Sequence, residues 1–429
     1  MTTQTALEPA PAAAPLARRL AAVALIWIAV VAIAFLRQFA DLRADDIGYD
    51  FRYFWLAGQM WADGVSPYGE AFHETGLRHV PEGHVPVIWP YPPNFWWFSV
   101  WLGFFEMQAA WEIWLSLKVA IVPLVSATLA LSLRADRMPA RFAASMPLAR
   151  LGFFTGHLVL MAGLGTLHFD LIGGQITSVI LLGGALLLAG IARDRPVVAV
   201  IGLAILFVKP QIGLPIGLGL MLAGRETFRV VFHAGLLSLV LIVPPMLIEP
   251  AAVLHWLHQV GAYDGAAFAN TAPKMSGVRH AVWQVTGGDI GNLAAMAITI
   301  AVAAGVALAC RRGARRAGRP VCHAAADLVL VETVVVLALA PLHLYDFLFV
   351  GLALMALPRL HGPWLVAGLT GVALNLRPDD IPRILSDDGN FGLFPGTPFA
   401  TVGMMILLVA LAAPRREARI AVAARPDRA

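Results

Sequence analysis

Residues 197–222 read VVAVIGLAILFVKPQIGLPIGLGLML, an apolar stretch that is interrupted once, by Lys209, Pro210 and Gln211. A helix needs about 20 apolar residues to cross the hydrocarbon core of a bilayer. Non-helical backbone at that depth is tolerated only where it is buried in protein or lines a wet cavity. We therefore predict two short helices that meet near Lys209, at the outer face of a membrane protein.

Similar apolar runs occupy most of the chain. Of its 429 residues, 59% are apolar and only 14% are charged, and the mean hydropathy is +0.73. An ordinary soluble domain carries roughly 25% charged residues, so this composition excludes a soluble globular enzyme, a disordered protein and a coiled coil. We predict an all-α polytopic membrane protein with about twelve transmembrane helices and both termini inside the cell.

The charged residues indicate which helix ends face the cytoplasm. Arginines concentrate in short segments at 134–150, 311–319 and 415–419, whereas the segment 37–88 is rich in aspartate and glutamate. Basic residues in short loops stay on the cytoplasmic side of a membrane. We therefore place the acidic segment outside. Topology also explains the basic clusters without a nucleic-acid partner.

The chain is predicted to form one integral membrane domain, residues 18–413, which begins with an uncleaved signal anchor. A disordered cytoplasmic tail at 1–17 precedes this domain, and a basic cytoplasmic tail at 414–429 follows it. The larger outer loops are predicted at 37–88, 249–290 and 375–397.

Familiar cofactor motifs are missing from the sequence. It contains no G-x-x-x-x-G-K-[ST] loop, no G-x-S-x-G elbow and no Cys/His set with zinc spacing. We therefore predict neither a cofactor nor a metal site. Because nucleotides are not generally available on the outer face, a synthetic reaction there needs a substrate that is activated beforehand and delivered within the membrane.

Several short motifs along the chain together form a family pattern. They are YDFRYFWLAG at 49–58, DGVSPY at 63–68, WPYPP at 89–93, GQ at 174–175, KP at 209–210 and HLY at 343–345. This set resembles the polyprenyl-phosphate-sugar-dependent glycosyltransferases of family 87, within the GT-C superfamily. The resemblance covers roughly residues 40–350 and is best in the first outer loop.

The resemblance implies a GT-C-like helical bundle and an inverting transfer at the outer face of the cytoplasmic membrane. The donor would be a sugar on a polyprenyl monophosphate, such as mannose or a pentose, and the acceptor a glycan or glycolipid hydroxyl. The resemblance also implies an acidic base in the first outer loop. An inverting transfer needs one ionised carboxylate within hydrogen-bond reach of the acceptor hydroxyl. Asp50 is the best candidate, and the adjacent pair Asp45–Asp46 is its rival.

Other residues are candidates for binding the two substrates. The developing charge on a phosphate leaving group requires fixed cationic donors, and an ionisable residue within the membrane suggests a functional site. The candidate phosphate ligands are Lys209, Arg279 and His343. The candidate sugar or acceptor contacts are Tyr53, Tyr68, Tyr91, Gln175, Asn270 and Tyr345.

Structural roles compete with these assignments. Asp50 is also placed where it would cap a helix or pair with Arg52, and Lys209 would serve equally as a snorkelling or salt-bridged lysine. The tyrosines suit an interfacial aromatic belt. For Lys118 and Glu332, both embedded in apolar runs, we favour structural pairing with partners that the sequence does not identify.

Two other classes of protein remain open at this point. A secondary transporter would explain the interrupted helix near Lys209 and the buried charges, although the two halves show no repeat of hydropathy and the first outer loop is long. A structural membrane subunit without catalysis is the third possibility.

Overall fold

The computed structural model describes residue 29 and residues 47–80, 88–133, 145–266, 271–316, 321–360, 362–385 and 396–412. Both predicted tails, Asp45, Asp46 and Asn270 lie outside this part of the chain, as does the predicted signal anchor apart from residue 29. Within it, the regular elements are all helical. This confirms the all-α class predicted from composition.

The helices follow one another in a long series. They are α1 (Tyr49–Ala62), α2 (Glu70–His79), α3 (Met107–Ser132), α4 (Met146–Gly163), α5 (Gly165–Gly173), α6 (Thr177–Ala192), α7 (Pro196–Leu206), α8 (Pro210–Ala223), α9 (Arg225–Ile248), α10 (Ala252–Ala266), α11 (Gly277–Thr286), α12 (Gly291–Arg316), α13 (Val321–Leu339), α14 (Pro363–Ala373), α15 (Asp380–Leu385) and α16 (Thr397–Ala412). Short helical turns connect α2 to α3, and others fill Leu344–Arg359. The segments predicted as outer loops therefore contain α1, α2, α10, α11 and α15.

Three of these helices are long and apolar enough to cross a membrane: α3, α9 and the segment Gly291–Ala314 of α12. The helices α4 and α5 also qualify if they are one span, because only a short break with a bend of 67° separates them. Six shorter apolar helices accompany them. The helical architecture thus suits a membrane, while the count of about twelve crossings stays a prediction.

The interrupted stretch at 197–222 forms two helices, as predicted. The first, α7, ends at Leu206, and α8 begins at Pro210, whose missing N–H is no loss in the first turn of a helix. The two helices can approach each other closely because Gly213 has no side chain. A Cβ atom at Gly213 would lie 2.4 Å from the Leu206 carbonyl oxygen. Lys209 is therefore fixed at the point where the helices meet.

The helices place Lys209 and the described arginine-rich residues 311–316 at opposite ends of the described structure. The helix α6 has 16 residues and is about 24 Å long; it leads away from Gln175, and α7 returns toward Lys209. The helix α8 then leads away again, and Arg311 of α12 donates a 3.0 Å hydrogen bond to the Leu222 carbonyl near its far end. We call the end containing 193–195, 224–229 and 311–316 the arginine end.

The helix α1 lies at the Lys209 end and is held there by aromatic packing. Phe51 contacts Trp111 of α3, with ring centroids 5.1 Å apart. Phe54 contacts Tyr91 and Phe95, at centroid distances of 5.2 and 5.1 Å. Both phenylalanines are fully buried. Burial of such side chains contributes roughly 1.5–3 kcal/mol each, so this cluster fixes the direction of α1 and the position of its first turn.

Small residues allow the backbone of α1 to touch its neighbour directly. A Cβ atom at Gly58 would lie 2.1 Å from the Ser99 carbonyl oxygen, and one at Gly103 would lie 2.3 Å from the Gly58 carbonyl oxygen. Both contacts are with backbone rather than with flexible side chains, so neither position has room for a larger residue.

We expect Gly58→Ala to lower the Tm of the purified protein in detergent. Alanine favours a helix over glycine by up to about 1 kcal/mol, but here the clash with Ser99 outweighs that gain, since overpacking costs about 1–3 kcal/mol. Gly235→Ala in α9 is the matched control, because nothing lies within 4 Å of a Cβ there. An equal or higher Tm for Gly58→Ala would contradict the close approach.

Candidate active site

The first turn of α1 presents Asp50 to the turn that joins α5 to α6. The N-cap of α1 is Gly48, so Asp50 is not the capping residue. Its carboxylate accepts a hydrogen bond from the Gln175 side chain, and a Cβ atom at Gly173 would lie 3.2 Å from Asp50 Oδ2. Tyr91 in turn donates its hydroxyl hydrogen to Gln175 Oε1, at 3.2 Å. A chain of hydrogen bonds from Tyr91 through Gln175 to Asp50 therefore orients the carboxylate.

The electrostatic surroundings of Asp50 make it a stronger base than an ordinary aspartate. The helix α1 is not among the apolar helices suited to cross a membrane within the described residues. Burial raises the pKa of Asp50 from 3.8 to about 6, and the repulsion from Asp346 acts in the same direction. The Gln175 hydrogen bond and the positive charges of Lys209 and Lys118 oppose this rise. Asp50 is thus ionised in most molecules at neutral pH.

Lys209 is buried at the junction of α7 and α8 and pairs with Asp346. The Lys209 ammonium contacts Asp346 Oδ1. The same oxygen accepts a 3.1 Å hydrogen bond from the Thr177 hydroxyl, and the other accepts a 3.1 Å bond from the His343 backbone N–H. The ammonium also lies 4.9 Å from the centre of the Tyr345 ring, within cation–π distance.

A second buried ion pair supports the turn that carries Gln175. Lys118 of α3 lies 3.1 Å from Asp170 Oδ2 of α5, and both side chains are fully buried. Asp170 also holds the turn: its Oδ1 accepts the Thr177 N–H at 3.0 Å, and its carbonyl accepts the Gln175 N–H at 2.9 Å. The partner expected for Lys118 is therefore Asp170, and the pair acts by positioning Gln175.

His343 and Tyr345 complete the wall of the site around Lys209. Their rings stack with centroids 5.2 Å apart. The His343 Nδ1 atom is buried without a hydrogen-bond partner in the described part of the chain. Its ring also lies within the electrostatic reach of Lys209, Asp346 and Arg279. Both residues thus lie beside the cation predicted to bind phosphate.

Arg279 lies near this group but its guanidinium is engaged elsewhere. Its Nε and Nη2 atoms donate to the two carboxylate oxygens of Asp289, at 2.8 and 2.6 Å, and Nη1 donates to Asn292 Oδ1 at 2.7 Å. The Arg279 contact lowers the pKa of Asp289 below its usual value. The structure thus shows Arg279 tying α11 to the start of α12.

Two of the predicted tyrosine contacts occupy supporting positions. Tyr68 is buried and donates its hydroxyl hydrogen to the Tyr91 carbonyl at 2.8 Å, and burial raises its pKa well above the usual value. Tyr53 packs against Phe72, with ring centroids 6.0 Å apart, and its hydroxyl lies 3.5 Å from that of Tyr49. Tyr68 therefore acts on the site through Tyr91.

Comparison with known families identifies the chain. The model of glycosyltransferase family 87 matches residues 89–341, which is more than half of the sequence. The chain belongs to glycosyltransferase family 87. No curated protein matches it. Membership of this family supports a glycosyltransferase over a secondary transporter or a structural subunit.

The part of this family 87 glycosyltransferase that matches the family model contains Tyr91, Lys118, Asp170, Gln175 and Lys209. Asp50 precedes the matched region, and His343, Tyr345 and Asp346 follow it. The fold brings all three parts together, since the Asp50 carboxylate interacts electrostatically with Lys118, with Lys209 and with Asp346.

Asp170, Thr177 and Asp346 also belong to this site, although they were not predicted from the sequence. A usable signal existed for the two aspartates, because each is a lone acid within an apolar segment, and intramembrane acids usually have a paired or functional role. The pairs themselves were not visible, because Lys118 and Asp170 are 52 residues apart and Lys209 and Asp346 are 137 apart. Glu332 is also buried, but its carboxylate has no hydrogen-bond partner among the described residues.

We expect Asp170→Asn to destabilise the protein by about 3–5 kcal/mol, since it leaves Lys118 buried without a counter-charge. The double variant Lys118→Met with Asp170→Asn removes both charges, and should regain part of the loss. Thermal unfolding in detergent measures both effects.

Asp380→Asn provides the matched control for this test. The Arg377–Asp380 pair is exposed, with an N–O distance of 3.5 Å, and such pairs contribute about 0–1 kcal/mol. A loss at Asp170 no larger than that at Asp380 would show that the buried pair does not stabilise the turn.

Proposed function

We propose that this family 87 glycosyltransferase transfers a sugar, such as mannose or a pentose, from a polyprenyl monophosphate to a hydroxyl of a glycan or glycolipid. The observation that supports this function is the placement of one carboxylate, Asp50, within the electrostatic field of two buried lysines. A base for the acceptor and a cation for the leaving phosphate are thereby brought to the same end of the helical bundle.

Asp50 acts as the general base in this proposal. As the acceptor oxygen forms a bond to the anomeric carbon, its proton passes to an Asp50 carboxylate oxygen. The bond from that carbon to the phosphate oxygen breaks, and its electron pair leaves with the polyprenyl phosphate. Attack opposite the leaving group inverts the configuration. A pKa of about 6 for Asp50 suits this task, because the base is ionised near pH 7 and still holds a proton well.

Lys209 is proposed to hold the phosphate of the donor. Without substrate its ammonium is held by Asp346 and lies beside the Tyr345 ring. A donor phosphate entering between these groups would find a cation that is already desolvated and oriented, which strengthens its attraction for the charge that develops on the leaving group. His343, whose ring stacks on that of Tyr345, is proposed as a further phosphate contact. Gln175, Tyr91 and Tyr345 are proposed to contact the sugar. Arg279 could bind the phosphate only if its hydrogen bonds to Asp289 were first broken.

We place the site on the outer side of the cytoplasmic membrane. The support is the separation between Asp50 and the arginine end, because basic residues in short loops stay in the cytoplasm. The bilayer, the lipid-linked sugar and the acceptor are the proposed partners. Since Lys209 supplies the positive charge that the phosphate needs, the proposed reaction uses no cofactor or metal beyond its lipid-linked co-substrate.

We expect Asp50→Asn to reduce sugar transfer by about 100-fold or more, because the amide cannot accept the acceptor proton. The assay supplies membranes with radiolabelled polyprenyl-phosphate mannose or a polyprenyl-phosphate pentose and measures label in the glycan fraction at matched protein levels. Asp63→Asn is the control, since Asp63 is an exposed residue just after the other end of α1. Undiminished transfer by Asp50→Asn would exclude Asp50 as the base.

We expect transfer to fall about tenfold per pH unit below pH 6, because the ionised form of Asp50 is lost as the pH drops through its pKa of about 6. The Gln175 hydrogen bond lowers this pKa. Gln175→Leu should therefore raise the pKa and move the inflection of the pH–rate profile to higher pH. A profile with the same inflection in both proteins would mean that the titrating group is not Asp50.

A further inference from the structure

A cavity of about 420 Å³ opens at the arginine end, far from Asp50. It lies where α6 turns into α7 and where α9 begins, and Ala325 of α13 also lines it. The turn is tight, because a Cβ atom at Gly190 would lie 2.4 Å from the Ala199 nitrogen. The cavity is thus built by three parts of the chain that are distant in sequence.

Charged groups of both signs line this cavity. The cations are Arg195 and Arg229, and the anions are Asp194 and Glu226. Among the described residues, none of these four side chains forms an ion pair. His233 also lines the cavity, but its Nδ1 atom bonds to the Arg229 carbonyl at 2.7 Å. The cavity therefore offers two free cations and two free anions.

Apolar residues extend from the mouth of the cavity along α9. Leu236 and Val240 continue the face of α9 that carries the cavity residues Arg229 and His233, because these four positions are three or four residues apart. They are 49% and 57% exposed. The helix α9 is also one of the three apolar enough to cross a membrane. This face is therefore suited to contact an acyl chain whose head lies at the cavity.

We infer that this cavity binds one phospholipid whose head group carries both a phosphate and a primary ammonium, as in phosphatidylethanolamine. The phosphate pairs with Arg195 and Arg229, the ammonium pairs with Asp194 and Glu226, and one acyl chain lies along the exposed face of α9. A lipid phosphate without an ammonium would satisfy the arginines but place its negative charge beside the two carboxylates. The occupant is thus chemically distinct from the polyprenyl phosphate proposed at Lys209.

The test is lipid binding by the purified full-length protein, measured by native mass spectrometry and by the rise in Tm on adding lipid. We expect phosphatidylethanolamine to bind more tightly than phosphatidylglycerol, which lacks the ammonium, and than phosphatidylcholine, whose methylated ammonium cannot donate hydrogen bonds. Arg195→Gln with Arg229→Gln should weaken phosphatidylethanolamine binding about tenfold or more.

Two further variants separate this inference from a general effect of charge. Asp194→Asn with Glu226→Gln should weaken phosphatidylethanolamine while sparing or improving phosphatidylglycerol. Arg225→Gln is the control, since Arg225 is exposed at the same helix start but does not line the cavity. Equal binding of the three lipids, or no change in the cavity variants, would overturn the inference. Neither result depends on sugar transfer, so the proposed function is tested separately.

Discussion

The contact between Lys209 and Asp346 is the interaction on which the rest of the site depends. It joins the junction of α7 and α8 to the turn after α13, and Thr177 and the His343 backbone hold the carboxylate in place. A buried ammonium without a counter-charge would cost several kcal/mol. Lys209 can therefore remain buried in the apolar stretch only because Asp346, which is distant in sequence, supplies the counter-charge. The same ion pair holds the Lys209 ammonium beside the Tyr345 ring.

The two ion pairs have different consequences for the chemistry. Lys118 and Asp170 are fully buried, and Asp170 also bonds to the backbone of the Gln175–Thr177 turn, so this pair acts on the site through structure. Lys209 lies next to Asp346, His343 and Tyr345. A ligand phosphate could bind its ammonium there by displacing the Asp346 carboxylate. Asp50 lies within the electrostatic reach of both lysines, and its raised pKa reflects burial that these two cations only partly offset.

Much of the fold followed from local rules, whereas the site depended on long-range contacts. The helical membrane class came from composition, and the junction near Lys209 came from the interruption of an apolar stretch by Lys209, Pro210 and Gln211. The family motifs then singled out Asp50, Gln175 and Lys209. The pairing of Asp346 and Asp170 with their lysines was not predicted, because a lone acid in an apolar segment does not reveal which lysine it meets. The engagement of Arg279 with Asp289 was hidden for the same reason.

The contact between Gly58 and Gly103 has a consequence for motion. Backbone atoms meet there without intervening side chains, so α1 has no smooth surface along which to slide past the 99–104 turns. A movement of α1 would therefore carry those turns with it as one body. Asp50, in the first turn of α1, would keep its position relative to them.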